Sequence, residues 1–317
     1  MTVTTLLYLL LQLVVMLLLA PLPSGVIRKV KALVQKRKGA PLLQMYRDLW
    51  KLLHKSVVLS ETTSWLTRAA PYVVLATSLL AALLVPVTAK VLPTAFPGDL
   101  ILLFFVLALG RFFLVLSGMD AGSTFGGMGS SRETLISALV EPAVLVGVFT
   151  VGLFAKTTSI FGVLAATSAL PFPLLSPALL LVFLAFFLVL LAETSRIPVD
   201  DPATHLELTM VHEAMILENS GRHLALMEYG AALKQLALLG LLVDLFLPFD
   251  PFATLAGVAG ILLSVLFFAA KVLLLSSIVG AVESATVKLR FFSVPNLAAL
   301  AFILSFLGLL QLLVPGR

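Results

Sequence analysis

The chain has 317 residues, 60% of them hydrophobic and only 12% charged, with a mean hydropathy of +1.13. Soluble domains run nearer about 45–50% apolar and about 25% charged, so an ordinary soluble domain is excluded and the bilayer is the expected solvent. The net charge of +5 does not point to nucleic acid, because most of the excess sits in one loop, and the absence of cysteine excludes disulfides, thiolate metal sites and Fe–S clusters held by this chain.

A membrane span takes about 20 mostly apolar residues. Eight stretches meet that condition: 3–23, 71–91, 99–117, 134–155, 174–193, 224–247, 254–280 and 296–315. The first, Leu6 to Pro21 at its most apolar, has no basic segment before it and is followed by basic residues. It therefore reads as a retained helix rather than a cleaved signal. The stretch 157–172 is apolar but short and broken by Pro171 and Pro173, and reads as interfacial. The expected fold is an all-α membrane protein of about eight transmembrane helices with amphipathic helices in the cytoplasmic loops, forming a single integral membrane domain over 1–317.

The basic residues test this layout. Eight spans put fifteen lysines and arginines on one side and three on the other, with Arg111, Lys234 and Lys271 inside spans. The positive-inside rule makes the rich side cytoplasmic, with loops 24–70, 118–133, 194–223 and 281–295, and leaves both termini outside. A bacterial or archaeal cytoplasmic membrane is the expected location. These loops also hold most of the polar chemistry, as expected of a face that docks partners.

In the first loop, Leu42, Met45, Leu49, Leu52 and Leu53 recur at helical spacing, with Arg47, Asp48, Lys51 and Lys55 opposite. This predicts a basic amphipathic helix at headgroup level, with lipid as a partner. Gly39 and Pro41 separate it from the preceding basic stretch around Arg37. The second loop, GMDAGSTFGGMGSSRE, includes Asp120 and Arg132. It lacks the Lys–Ser/Thr ending and preceding strand of a phosphate loop, so its glycines are expected to let backbone pack closely against a partner.

The third loop, RIPVDDPATHLELTMVHEAMILENSGRH, is the most polar. Asp201 is placed to cap a helix beginning at Pro202, and Gly221 to end it. In a continuous helix Glu207 and Glu218 would share one face, and His205 and His212 the opposite one. HEAMI begins like a zinc-protease motif, but Ile216 stands where the second histidine belongs, so no metal site is expected. Arg196, Asp200, Asp201, His205 and Glu213 are candidate docking residues, together with Arg37, Gly39, Pro41, Asp120 and Arg132.

Ionisable residues also occur within or beside spans: Glu141, Glu193, Glu228, Lys234, Lys271 and Glu283. A charge at the bilayer centre costs about 2.5–3.5 kcal/mol on insertion scales, so such groups face a bundle interior, pair, or line water. A carboxylate in that setting can bind and release protons near neutral pH. The candidate proton path comprises Glu141, Glu207, Glu218, Glu228, Lys234 and Lys271. Glu193 and Glu283, at span ends, are expected to snorkel toward the interface.

Four stretches now carry a resemblance: QKRKGAPLLQMYRDLWKLLHK (35–55), GMDAGSTFGGMGSSRE (118–133), RIPVDDPATHLEL (196–208) and ENSGRHLALMEYGAALK (218–234). Across its full length the chain resembles the family of the respiratory complex I membrane subunit 1, and most of all the membrane subunit of group 4 NiFe hydrogenases of the formate hydrogenlyase and hydrogenase-4 type. The resemblance implies an eight-helix subunit with no redox cofactor of its own, anchoring a hydrophilic electron-transfer arm. The NiFe centre and Fe–S clusters would lie in partners on the cytoplasmic face, a hydrogenase large subunit and an Fe–S small subunit, with antiporter-like subunits beside it in the membrane. It implies that Glu141 matches the proton-path glutamate of the fourth helix, Glu207 and Glu218 acids of the loop before the sixth, and Glu228 the glutamate opening that helix. Arg196, Pro198 and Asp200 match the start of that loop.

Two departures separate the chain from the quinone-reducing branch. Gly39-Ala40-Pro41 runs straight into Leu42-Leu43-Gln44, where complex I carries a short extra stretch, and the second loop is richer in glycine. The resulting expectation is a non-catalytic membrane subunit relaying redox energy to proton or sodium movement. A quinone-site subunit of an NADH:quinone oxidoreductase and a stand-alone secondary transporter are the alternatives; no internal repeat supports the latter.

Overall fold

The structure is a computed structural model that describes residues 3–88, 96–170, 172–200, 210–255 and 257–314. Asp201, His205 and Glu207, three of the expected site residues, lie outside them. Among the described residues every regular element is helical.

Helix α1 (Val3–Leu19) is followed almost without a break by α2 (Pro21–Val34), with Pro21 at the first position of the second helix, where its missing N–H costs nothing. The two form one nearly continuous helical stretch, Leu6–Val34, so helix continues from the first crossing into the segment expected as loop. The predicted amphipathic helix is α3 (Gln44–Leu53), which buries Met45 and Leu49 while Trp50 and Leu53 stay exposed. Helix α4 (Trp65–Leu84) starts at Ser64, whose hydroxyl accepts from the Leu66 N–H at 3.2 Å.

Helices α5 (Asp99–Asp120) and α6 (Thr124–Ala155) nearly touch in sequence. The expected loop 118–133 is only the turn 121–123. Ser123 caps α6 by accepting from Gly126 N–H at 3.1 Å, and the glycine stretch continues as helix. The next apolar stretch holds α7 (Ile160–Ser168), about 14 Å long and too short to cross. Helix α8 (Pro177–Glu193), 17 residues, returns the chain to the end it came from.

Of the continuous helix expected over 202–221, residues 202–209 lie outside the described residues; among residues 210–220 only α9 (His212–Ile216) is helical, and Gly221, at φ 52°, opens α10 (Gly221–Phe246) rather than closing a helix before it. A side chain at Gly221 would collide with the Ser56 carbonyl. Helices α11 (Gly257–Ala285) and α12 (Val294–Leu313) complete the chain.

Among the described residues seven helices are long and apolar enough to cross a membrane, and α8 lies at the short limit of about 17 residues. Helix α10 is the axis of the bundle: 83% of its most apolar window is buried, against 28–39% for the other long helices. It packs on α4, α11, α3 and α8, while α12 packs on α6 and α8, and α11 on α2. The large exposed residues, such as Phe105, Phe149 and Leu266, cover the outside, as expected where lipid is the solvent. One end of the bundle gathers α3, the turn 121–123, α9 and the segments around 200 and 288; the other holds α7 and the turn after α10.

Candidate functional site

At the loop-rich end, residues of α2, α3, α4, α5, α6, α8, α9 and α10 line a cavity of about 110 Å³. Its wall carries an unusual density of charge for a membrane protein: Arg28, Arg111, Glu133, Glu193, Arg196, His212, Glu213, Glu228 and Lys234. All of these except Arg196, which follows α8, are placed by helices. Lys234 lies thirteen residues into α10, and Glu193 is the last residue of α8, so both reach the same depth from opposite directions.

These groups are paired in a definite order. The Lys234 ammonium is 2.8 Å from one Glu193 oxygen, and the Arg111 guanidinium donates to the other at 2.8 Å. Arg111 also reaches Glu141, at 3.8 Å. The result is an alternating row, Lys234–Glu193–Arg111–Glu141, running from the cavity to the flank of the bundle. Glu193 is nearly enclosed at 7% exposure, whereas the Glu141 side chain is 55% exposed. The expectation of a snorkelling Glu193 and an inward Glu141 is thereby reversed. Glu193 points inward because two cations in neighbouring helices need its charge; Glu141 lies on the outer face of α6, above a pocket lined by Phe104, Phe105, Leu145 and Val148.

A second network adjoins the cavity through Ser24, Arg196 and Gln235. Arg196 donates to Ser24 Oγ at 3.2 Å and Gln235 Oε1 at 2.9 Å, and lies 3.6 Å from Glu283, which also pairs with Lys31 at 3.5 Å. Glu283, at 2% side-chain exposure, is buried rather than snorkelling. Asp200 accepts from the backbone of Val211 and His212 and pairs with Lys288 at 2.6 Å, so it ties the two ends of the segment 201–209 together. Arg196 and Asp200, expected on a docking surface, are buried and spend their charges inside the chain.

The remaining expected docking residues divide. Arg37, Gly39 and Pro41 are exposed around an open basic hollow with Lys29, Lys36 and Lys38. Asp120, partly exposed, accepts from Ser64 and Thr67 N–H and from the Thr67 hydroxyl, and so holds the start of α4. Arg132 donates to the Met210 carbonyl and lies over the Phe291 ring. Glu213, expected to dock, lines the cavity instead. Of the expected proton path, Glu228 and Lys234 line the cavity and Glu141 joins them through Arg111; Glu218 is half-buried away from it, and Lys271 lies on α11, bonded to the turn after α10. Glu133 and Arg111 are site residues that sequence reasoning left unassigned. The signal for Arg111 was its position: a lone arginine in a span requires an acid in a neighbouring helix.

Two cavity groups on α9 are shifted. Burial, together with the carboxylates of Glu228 and Asp200, raises Glu213 to about 7, against the opposing pull of Arg28. Burial, with the Lys234 ammonium adding to it, lowers His212 to about 4. Glu213 therefore changes charge close to neutral pH while His212 stays neutral.

The chain is similar to known subunits of membrane complexes. The NADH dehydrogenase family model matches residues 6–314. Formate hydrogenlyase subunit 4 of Escherichia coli is 32% identical over 307 residues, covering 97% of this chain and 98% of that one. Hydrogenase-4 component C of the same organism is 35% identical over 299 residues, covering 94% and 92%. NADH-ubiquinone oxidoreductase chain 1 of Triticum aestivum is 28% identical over 228 residues, covering 69% and 68%. In fold, a chain of the archaeal membrane-bound sulfane sulfur reductase, a respiratory membrane complex, superimposes with a TM-score of 0.82 at 20% identity, covering 98% of this chain and all of that one. The match across nearly the whole length, at the level of both family and full-length relatives, shows that this chain belongs to the NADH dehydrogenase family of membrane subunits, on the side of it that includes the hydrogenase-type subunits.

Proposed function

We propose that the chain is the coupling subunit of a hydrogenase-like membrane complex, in which the row Lys234–Glu193–Arg111–Glu141 passes a charge change at the loop-rich cavity to the flank of the bundle. The observation that carries this reading is the row itself. Its members sit on four different helices, alternate in sign and connect an enclosed cavity to a carboxylate on the membrane-facing surface. In a low-dielectric interior, changing the charge of one member alters the proton affinity of the next. Glu213 and Glu228, at the cavity end, are the groups through which such a change enters.

The row turns sideways rather than crossing. Beyond Gln235, α10 runs through Leu236, Leu238, Leu239, Leu241, Leu242 and Val243, all buried and apolar. A carboxylate facing hydrocarbon at Glu141 is costly, and a neighbouring subunit covering it removes that cost. In this reading the ions cross in antiporter-like subunits packed on the α5–α6 face, and this chain gates them. The basic loop-rich end faces the cytoplasm of a bacterium or archaeon, both termini lie outside, and a hydrogenase large subunit and an Fe–S small subunit dock at the exposed hollow around Arg37, Gly39 and Pro41. The NiFe centre and Fe–S clusters belong to those partners.

The test is Glu193→Asp in the intact complex. It retains the charge while shortening the reach to Lys234 and Arg111. Redox-driven ion uptake into vesicles is expected to fall several-fold, while electron transfer from hydrogen to a soluble acceptor keeps its rate. Unchanged uptake at unchanged electron transfer would overturn the relay.

A further inference from the structure

At the end of the bundle opposite the charged cavity, a second polar cluster lies between α10 and α11. The Lys271 ammonium donates to the carbonyls of Leu247 at 3.0 Å and Phe249 at 3.3 Å, in the turn that follows α10. Asp244 and Ser264 line the same small cavity and are 6% and 2% exposed. Neither Asp244 Oδ2 nor Ser264 Oγ has a hydrogen-bond partner among the described residues. Asp250 stands half-buried at the rim. The enclosed space is about 20 Å³, enough for one body the size of a water molecule.

We propose that this cavity is a monovalent-cation site in which Na⁺ from the adjoining solution takes the oxygens of Asp244 and Ser264 and displaces the Lys271 ammonium from the two backbone carbonyls. The available donors are a carboxylate, a hydroxyl and two backbone carbonyls, an all-oxygen set suited to a hard cation. The two carbonyls already hold an ammonium, so the turn stabilises one positive charge there. A neutral water would satisfy the hydrogen bonding of Asp244 and Ser264 but bring no charge to replace the Lys271 ammonium when it withdraws. The long, flexible lysine stem allows that withdrawal toward the solution.

Thermal unfolding of the purified membrane complex, in NaCl against choline chloride at matched ionic strength, tests this. A saturable, Na⁺-specific rise in midpoint temperature is expected. Lys271→Met removes the competitor, so half-saturation should come at about tenfold lower Na⁺. Asp244→Asn should abolish the effect in either background. Should Lys271→Met fail to assemble, Ser264→Ala replaces it, with a several-fold higher half-saturation expected. Identical unfolding in the two salts would leave a trapped water as the sole occupant and overturn the proposal, as would a Na⁺ effect that survives Asp244→Asn or is unmoved by Ser264→Ala.

Discussion

Lys234 on α10 and Glu193 at the end of α8 meet at 2.8 Å, and the second oxygen of that carboxylate takes Arg111 from α5. One acid thus serves two cations from two other helices, and three spans depend on a single side chain. Such an arrangement is a weak source of net stability, because each charge gives up hydration, but it is unforgiving of loss.

Glu193→Gln should therefore be among the most damaging single changes in the chain. Two cations would remain in the interior with their shared counter-charge removed. Breaking a buried pair in this way costs about 3–5 kcal/mol. The expected outcome is a lower yield of assembled complex and a lowered unfolding temperature, measured in detergent. Combining Glu193→Gln with Arg111→Gln and Lys234→Met should restore part of the lost stability without restoring coupled ion movement.

Glu141→Gln should separate those two effects. The side chain is largely exposed, and its contact with Arg111 is long at 3.8 Å, so folding should be almost unaffected. Ion translocation by the complex should nevertheless fall, with hydrogen chemistry on the isolated soluble partners unaltered. Vesicle ion uptake measured beside hydrogen oxidation with an artificial acceptor would decide it. Normal uptake in this variant would move the exit from the row elsewhere.

What could be read from sequence, and what could not, follows from the physics of helices in lipid. Hydropathy located the crossings, because about 20 apolar residues are needed whatever the packing. Helical spacing located α3. Depth along a helix, however, does not say which way a side chain points. Glu141 and Glu193 are both acids in or beside spans, yet one faces outward and the other is enclosed between Arg111 and Lys234. Counting the cations inside spans would have helped, since Arg111, Lys234 and Lys271 each need a partner. Asp244, two residues before the end of α10, was hidden by its apolar neighbours Leu242, Val243, Leu245 and Phe246. The glycine stretch after α5 looked like a loop because glycine is a poor helix former; a capping serine and close packing outweigh that preference.

The two shifted groups on α9 give a pH signature. Glu213 holds its proton up to about 7 when folded, against 4.5 in the unfolded chain. Between those values the folded state binds the extra proton, so this group's stabilisation declines as pH rises. His212 stays neutral down to about 4, against 6.5 unfolded, so between those values the unfolded state binds the extra proton and stability declines as pH falls. From about pH 4.5 to 6.5 the two slopes oppose each other. Relative to the parent, His212→Gln should become more stable as pH is lowered across that window, and Glu213→Gln less stable. Unfolding temperatures at half-unit pH steps would show the two variants diverging in opposite directions. Parallel curves would mean that neither group is held away from its ordinary range.

The glycines at the α5–α6 turn offer a test with its control built in. A Cβ on Gly126 would run into the Gly118 carbonyl oxygen, and one on Gly129 would lie 2.8 Å from the Val211 carbonyl. The partner for which these glycines make room is therefore the chain itself, α5 on one side and the start of α9 on the other. Gly127, between them, has nothing within 4 Å of the same position. Gly126→Ala should destabilise by about 1–3 kcal/mol, since backbone cannot move aside as a flexible side chain can. Gly127→Ala, in the same helical turn, should stabilise by about 0.5–1 kcal/mol through the better helix propensity of alanine. Opposite shifts in unfolding temperature from neighbouring residues would show that close packing of α6 on α5, and not glycine's flexibility, is what this stretch supplies. Because α9 carries Glu213 into the cavity, Gly129→Ala should in addition move the pH signature, whereas Gly127→Ala should leave it where it is.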